Sequence, residues 1–289
     1  LFAPSSSDSI RSVLTSQYEE FLPVAGMAAT TTVFCNESGE YVVYESDEHG
    51  FHNPRGMWEH RPVELLALGD SYTHGVCVSS DKGFVAVTRG HHPNTMNLGV
   101  NSHGPLTSLA TLKEYGPVLK PKLVLWFYYE GNDLRDFDGW EKNSPLLMKY
   151  LSSSFSQHLF ERQPEIDRSL KDYLDAAMAK ATAPISLENI LKLHHLRHAV
   201  QSFYERRPAE QGFPAELLEF LRHSGAPAAP EDLQLFERIL AEAQATAKTW
   251  DGRVVFVYLP TWERYRLPEL ARQRAGDRQA VEAVCHGHA

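Results

Sequence analysis

Three short stretches carry residue types that suit acyl transfer: "GDS" at 69–71, "NLGVNSHG" at 97–104 and "EGND" at 130–133. A serine hydroxyl is a nucleophile once a base takes its proton. A glycine lets a bare backbone N–H approach a substrate closely. An asparagine amide is a neutral donor for a developing oxyanion. Ser71, Gly99 and Asn132 thus offer a nucleophile and oxyanion donors, provided one scaffold brings them together. The same "GDS" also suits plain helix capping, with Asp70 or Ser71 accepting from the first N–H groups of a following helix. Alone, the tripeptide leaves both roles open.

The elements that must position these residues are legible as four apolar runs: "VELLALGDS" (63–71), "TMNLGVNSHGP" (95–105), "KLVLWFYYEGND" (122–133) and "GRVVFVYLP" (252–260). Runs without polar alternation are expected to be strands buried on both faces, hence parallel. Helical segments are expected at about 106–119 and 268–284, and a βαβα order implies a doubly wound α/β sheet. In such sheets ligands bind at the carboxyl ends of the strands, where Ser71, Gly99 and Asn132 fall. A helix starting near Ser71 would turn its free N–H groups toward the serine.

At this point the chain resembles the SGNH (GDSL-type) hydrolase family. The resemblance rests on Gly69-Asp70-Ser71 with Thr73 and Gly75, on Gly99, and on Gly131-Asn132-Asp133, in the family's order. It covers residues 60–133 well and the run at 252–260 loosely. It implies a flavodoxin-like α/β/α sandwich, a Ser71 nucleophile, and an oxyanion hole made by the Ser71 and Gly99 N–H groups and the Asn132 amide. Two departures stand out. The third block reads Glu130-Gly131-Asn132-Asp133, with glycine one place later than in the family. The family's general base, a His three residues after an Asp near the C-terminus, has no Asp-x-x-His counterpart in the 289 residues. The expectation is that the natural chain continues past "EAVCHGHA" to a fifth strand and the base. The chain starts at Leu1, which suggests an upstream piece, such as a signal or anchor, has been removed.

Other histidines are poor substitutes for that base. His74 lies three residues after Ser71 and would approach from the wrong side of the turn. His286 and His288 sit in the tail. His91-His92 and His194-His195 point in different directions as neighbours and read as solvated rather than metal-binding. Asp70 and Asp133 read as positioning residues that hydrogen-bond their own loops. Asp133, Asp136 and Asp138 lack calcium-loop spacing. Tyr72, His74, His103 and Arg135 are candidate pocket-wall residues by adjacency alone. No metal and no cofactor are expected.

Around this core, residues 1–58 read as an N-terminal arm, with a helix around Ser9–Phe21, and a β-hairpin whose strands flank Asn36–Glu40. Residues 59–289 read as the α/β domain. Within it, 134–250 is a mainly helical insertion. Its stripes are Ile166, Leu170, Tyr173, Leu174, Ala177 and Met178, then Leu193, Leu196, Val200 and Phe203, then Leu233, Phe236, Leu240 and Ala243. "SGAPAAPED" (224–232) is a loop. A formal net charge of -9 argues against a nucleic-acid binder. No apolar run is long enough to span a membrane. Cys35, Cys77 and Cys285 are far apart; inert thiols are the preferred reading, with one bridge as the alternative.

The expected function is a serine esterase acting on a small-molecule or carbohydrate ester, O-acetyl groups included, or the corresponding O-acyltransferase. A periplasmic or extracellular bacterial location goes with it. Two other classes remain open: a non-catalytic binding domain of the same fold, and a phosphate or nucleotide binder at the Gly69–Gly75 turn, which lacks GxGxxG and a Walker lysine. Oligomeric state is not legible.

Overall fold

The four apolar runs become a single parallel sheet. In the computed structural model, which describes residues 21–35, 40–134, 140–182, 229–261, 265, 272 and 275–286, the sheet contains β3 (Leu65–Leu68), β4 (Thr95–Asn97), β5 (Leu123–Tyr129) and β6 (Arg253–Leu259) in the order β4-β3-β5-β6. A separate antiparallel hairpin pairs β1 (Thr31–Cys35) with β2 (Val42–Glu45). The helices are α1 (Ser71–His74), α2 (Phe84–Arg89), α3 (Pro105–Leu119), α4 (Pro145–Met148), α5 (Gln163–Thr182), α6 (Pro230–Lys248) and α7 (Ala275–His286). The fold is the expected α/β/α sandwich with an added hairpin. The chain divides into two units, Leu1–Lys171 with Pro227–Ala289, and Asp172–Ala226. Of the second, only the end of α5 is described. The expected arm helix before Phe21 and the stripe from Leu193 to Phe203 lie outside the described residues.

The strand order places the site. From β3 the chain moves outward to β4, then crosses back over β3 to β5 and outward again to β6. The direction of travel reverses between β3 and β5, and a doubly wound sheet opens a crevice at that reversal.

The strands are not all buried alike. All residues of β3 and β4 are buried. In β5, Val124, Trp126 and Tyr128 are buried while the residues between them are half-buried. In β6, one of the two edge strands, Val255 is 42% exposed. The expectation of burial on both faces thus fails for β6, whereas β4, at the opposite edge, meets it.

Helix α3 is buried on nearly every side. Its amino end has no capping side chain of its own. Glu141 fills that role from a distant loop, its carboxylate accepting from the Gly104 and Leu106 N–H groups at 2.8 Å, the Thr107 N–H at 3.2 Å, and the Thr107 hydroxyl. A carboxylate at a helix amino end satisfies free donors and complements the helix dipole. Burial pushes the Glu141 carboxyl up to about 7, against those four donors. Glu141→Ala would leave buried N–H groups without an acceptor, so a loss of about 2 kcal/mol is expected. A urea midpoint that does not move in that variant would refute this role for Glu141.

Glu114, within α3, ties the helix to the 150–159 segment by accepting from the Tyr150 and Ser156 hydroxyls and the Gln157 and Leu159 N–H groups. Helix α6 packs on α3, β6 and α7.

Cys35 and Cys77 are joined in a disulfide, and Cys285 is free. The preferred reading of inert thiols is corrected for the first two. The hairpin folds back beside the turn after α1, bringing the Cα atoms to 5.4 Å across 42 residues of sequence. That proximity is a tertiary fact with no trace in the spacing of the cysteines.

Candidate active site

Strand β3 ends in Gly69, and the chain turns at once into the single helical turn α1. Gly69 has φ 152°, and a Cβ there would lie 2.7 Å from the Phe127 carbonyl oxygen and 2.6 Å from Thr73 Oγ1. No other residue type fits so close to β5 without a shift. Asp70 caps the turn: its Oδ1 accepts from the Tyr72 N–H at 3.0 Å. Ser71 occupies the first position of the turn and is half-buried. Its Oγ donates to Asp70 Oδ2 at 3.4 Å, a long contact. Gly75, at φ 81°, closes α1 in the left-handed conformation, its N–H donating to the Ser71 carbonyl.

Gly99 is brought to the same edge by strand register. Ala67 pairs with Asn97, and beyond the strand the Val100 N–H donates to the Gly69 carbonyl at 3.1 Å. Gly99 therefore lies level with Gly69 and against α1. A Cβ on it would sit 2.5 Å from Thr73 Cβ and 2.6 Å from the His74 nitrogen. Its own N–H donates to Asn97 Oδ1 at 2.9 Å. Asn132 follows β5 in a turn held by Asp133, whose Oδ2 accepts from the Tyr129 N–H at 3.0 Å. The Tyr129 ring covers Gly131 and lies 4.3 Å from the Tyr72 ring, which joins this turn to α1. Ser71, Gly99 and Asn132 thus sit on consecutive loops at one carboxyl edge, those of Ser71 and Asn132 flanking the β3/β5 reversal.

The candidate wall residues separate. Tyr72 is 49% exposed and stands at the surface. His74 is buried, with Nδ1 accepting from the Asn101 N–H at 3.1 Å and Nε2 bonded to Tyr44 Oη at 3.0 Å. Its carbonyl accepts from His52 Nδ1 at 2.9 Å. His74 therefore ties α1 to the loop after β4 and to the hairpin. Burial first, and then the nearby His52 and His103, hold its imidazole well below the usual range. His103 is buried too, and burial lowers it to about 3. Arg135, Asp136 and Asp138 lie outside the described residues, as do His194, His195 and His288. His92 pairs with Glu64 at 2.8 Å on the surface.

Sequence reading misses the scaffold behind the site. Asp47 is fully buried and accepts from the His49 and Phe51 N–H groups, Asn53 Nδ2 and Trp58 Nε1. Asn53 in turn bonds the Asn97 N–H and carbonyl. Asn97 donates to the Thr73 carbonyl at 2.8 Å and accepts from Gly99. One chain of hydrogen bonds thus runs from the segment after the hairpin into both Ser71 and Gly99 loops. The cue available in sequence is a polar Asn97 at the end of an apolar strand.

A serine hydroxyl held by a histidine does occur, but elsewhere: Ser80 Oγ lies 2.9 Å from His52 Nε2. Since the His52 Nδ1 faces a carbonyl, which only accepts, Nε2 is the acceptor and Ser80 the donor. Searches against protein-family models, curated proteins and solved structures find no match to this chain, so any functional reading stands on these residues and their arrangement.

Proposed function

We propose that the chain is a serine acyl hydrolase, or the corresponding O-acyltransferase, that forms an acyl-enzyme on Ser71. The observation that carries the reading is the Ser71 turn itself, placed at the sheet reversal and wedged against Gly99. In the reaction, Ser71 Oγ attacks an ester carbonyl and its proton passes to a base. The oxyanion takes hydrogen bonds from the Ser71 N–H, the Asn132 amide and the Gly99 N–H, the last released from Asn97. The alcohol then leaves with the proton. Water, or a sugar hydroxyl in the transferase case, attacks the acyl group and restores the serine. An O-acetylated carbohydrate is the proposed substrate class. Among the described residues no histidine hydrogen-bonds Ser71 Oγ. The Cys35–Cys77 bridge supports an oxidising compartment, periplasmic or extracellular.

The Asp70 contact of Ser71 Oγ favours a second reading, a non-catalytic binding domain. A fluorophosphonate probe with peptide mapping separates the two. Label on Ser71, absent in Ser71→Ala, is the expected result. No label, or label on Ser80 with its His52 partner, would overturn the acyl-enzyme at Ser71.

A further inference from the structure

A concave site has a lining that does not include Ser71. Residues of β2, the 52–54 segment, the 80–81 loop and α2 enclose a cleft of about 390 Å³ lined by Tyr44, Glu45, His52, Ser80, Asp81 and Arg89 among others. Four features make it a receptor rather than a gap. Arg89 spends Nε on the Thr95 carbonyl (2.9 Å) and Nη2 on Asn53 Oδ1 (2.5 Å), which fixes the guanidinium and leaves the Nη1 donors unspent. Asp81 is exposed and makes no hydrogen bond or ion pair among the described residues. Tyr44 and His52 pack their rings at 4.1 Å with planes tilted by 43°, giving an aromatic wall beside these polar groups. Ser80 is held in place by His52.

The charges restrict the ligand. Arg89 contributes one positive charge and Asp81 one negative, while Glu45 is paired with Arg55 at 3.4 Å. A free phosphate or an acidic ligand would meet carboxylates as well as the guanidinium. An aromatic wall flanked by the fixed Arg89 donors and the Asp81 carboxylate suits a ring that carries neighbouring hydroxyls, each both donor and acceptor.

We propose that this cleft binds a neutral sugar unit, with Arg89 Nη1 donating to hydroxyl oxygens and Asp81 accepting hydroxyl protons. Its wall is joined to the Ser71 turn through the His52 to His74 hydrogen bond, one helical turn after the serine. The site stands by itself whether or not Ser71 forms an acyl-enzyme. Taken with that reading, it would hold a second unit of a carbohydrate chain.

The test uses the whole chain carrying Ser71→Ala, so no turnover intervenes. Maltose, cellobiose and N,N'-diacetylchitobiose are titrated by ligand-observed NMR, with inorganic phosphate as a separate arm. Binding of at least one disaccharide is expected, weakened about tenfold or more by Asp81→Ala, because a carboxylate–hydroxyl hydrogen bond is lost. Asp81 has no hydrogen-bond or ion-pair partner among the described residues, so an unchanged melting temperature for that variant separates lost binding from lost structure. Disaccharide binding that Asp81→Ala leaves intact, phosphate binding alone, or no binding at all overturns the proposal. Fluorophosphonate labelling of Ser71 is read on the unsubstituted chain, so either idea can fail without the other.

Discussion

Gly69→Ala and Gly99→Ala are each expected to lower stability by about 3 kcal/mol and to slow labelling of Ser71 further than the stability loss explains. The reason is crowding from two sides of the same residue. A Cβ at Gly69 meets Thr73 Oγ1 at 2.6 Å and the Phe127 carbonyl at 2.7 Å; a Cβ at Gly99 meets Thr73 Cβ at 2.5 Å and the His74 nitrogen at 2.6 Å. Much of what is met is backbone or a branched carbon, so a rotamer change relieves little. Overpacking of this kind costs about 1–3 kcal/mol. At Gly69 the φ of 152° adds strain for any residue with a Cβ. Each substitution pushes α1 away from a neighbouring strand, which moves Ser71 relative to Gly99 and the Asn132 turn. Because both press on Thr73, the double variant should lose less than the sum, by about 0.5 kcal/mol or more. Gly83, with ordinary φ -60° and nothing within 4 Å of the Cβ an alanine would bring, is the control. Gly83→Ala should fall within about 0.5 kcal/mol of the parent. Equal midpoints for Gly83→Ala and Gly99→Ala would remove the case that Gly99 is a contact surface for the Ser71 turn.

The legible part of the fold is the part written in local pattern. Leu65–Leu68 and Leu123–Tyr129 announce strands because an apolar run ended by glycine or a turn has few other uses. The hairpin strands and the helix at Pro105–Leu119 follow from composition and breakers in the same way. Ser71, Gly99 and Asn132 are readable as candidates because a parallel sheet delivers strand ends to one edge. What stays hidden is carried by single long-range contacts. Nothing near Glu141 says that its carboxylate will cap a helix 34 to 37 residues earlier. Asp47 looks like an ordinary turn residue, yet four donors converge on it only after the hairpin has packed. Adjacency makes His74 a wall residue. Its ring is drawn inward instead, since Tyr44 and the Asn101 N–H meet both nitrogens there. Pairing of Cys35 with Cys77 belongs to the same class.

Those inward histidines give the fold a specific weakness in acid. For an imidazole held below its ordinary 6.5, the folded chain declines a proton that the unfolded chain accepts. Its contribution is therefore fully present above pH 6.5 and is lost as pH falls toward the folded value. For His103 the window runs from 6.5 down to about 3, at about 1.4 kcal/mol per pH unit. Other groups act in the same range. His49, His52 and His74 are also lowered by burial, while Glu141 and Asp47 are raised by it and stabilise as pH falls. A raw pH profile mixes all of these; a difference profile does not. His103→Leu removes the titration and leaves no polar atom in the buried site. The stability of the parent minus that of the variant should then drop by about 2 kcal/mol between about pH 6.5 and 4.5. Parallel urea-midpoint profiles for the two proteins would show that His103 titrates normally in the fold. The residue lies in the loop between Gly99 and α3, so its protonation strains the segment that carries Gly99. Ser71 labelling should accordingly survive to lower pH in His103→Leu than in the parent.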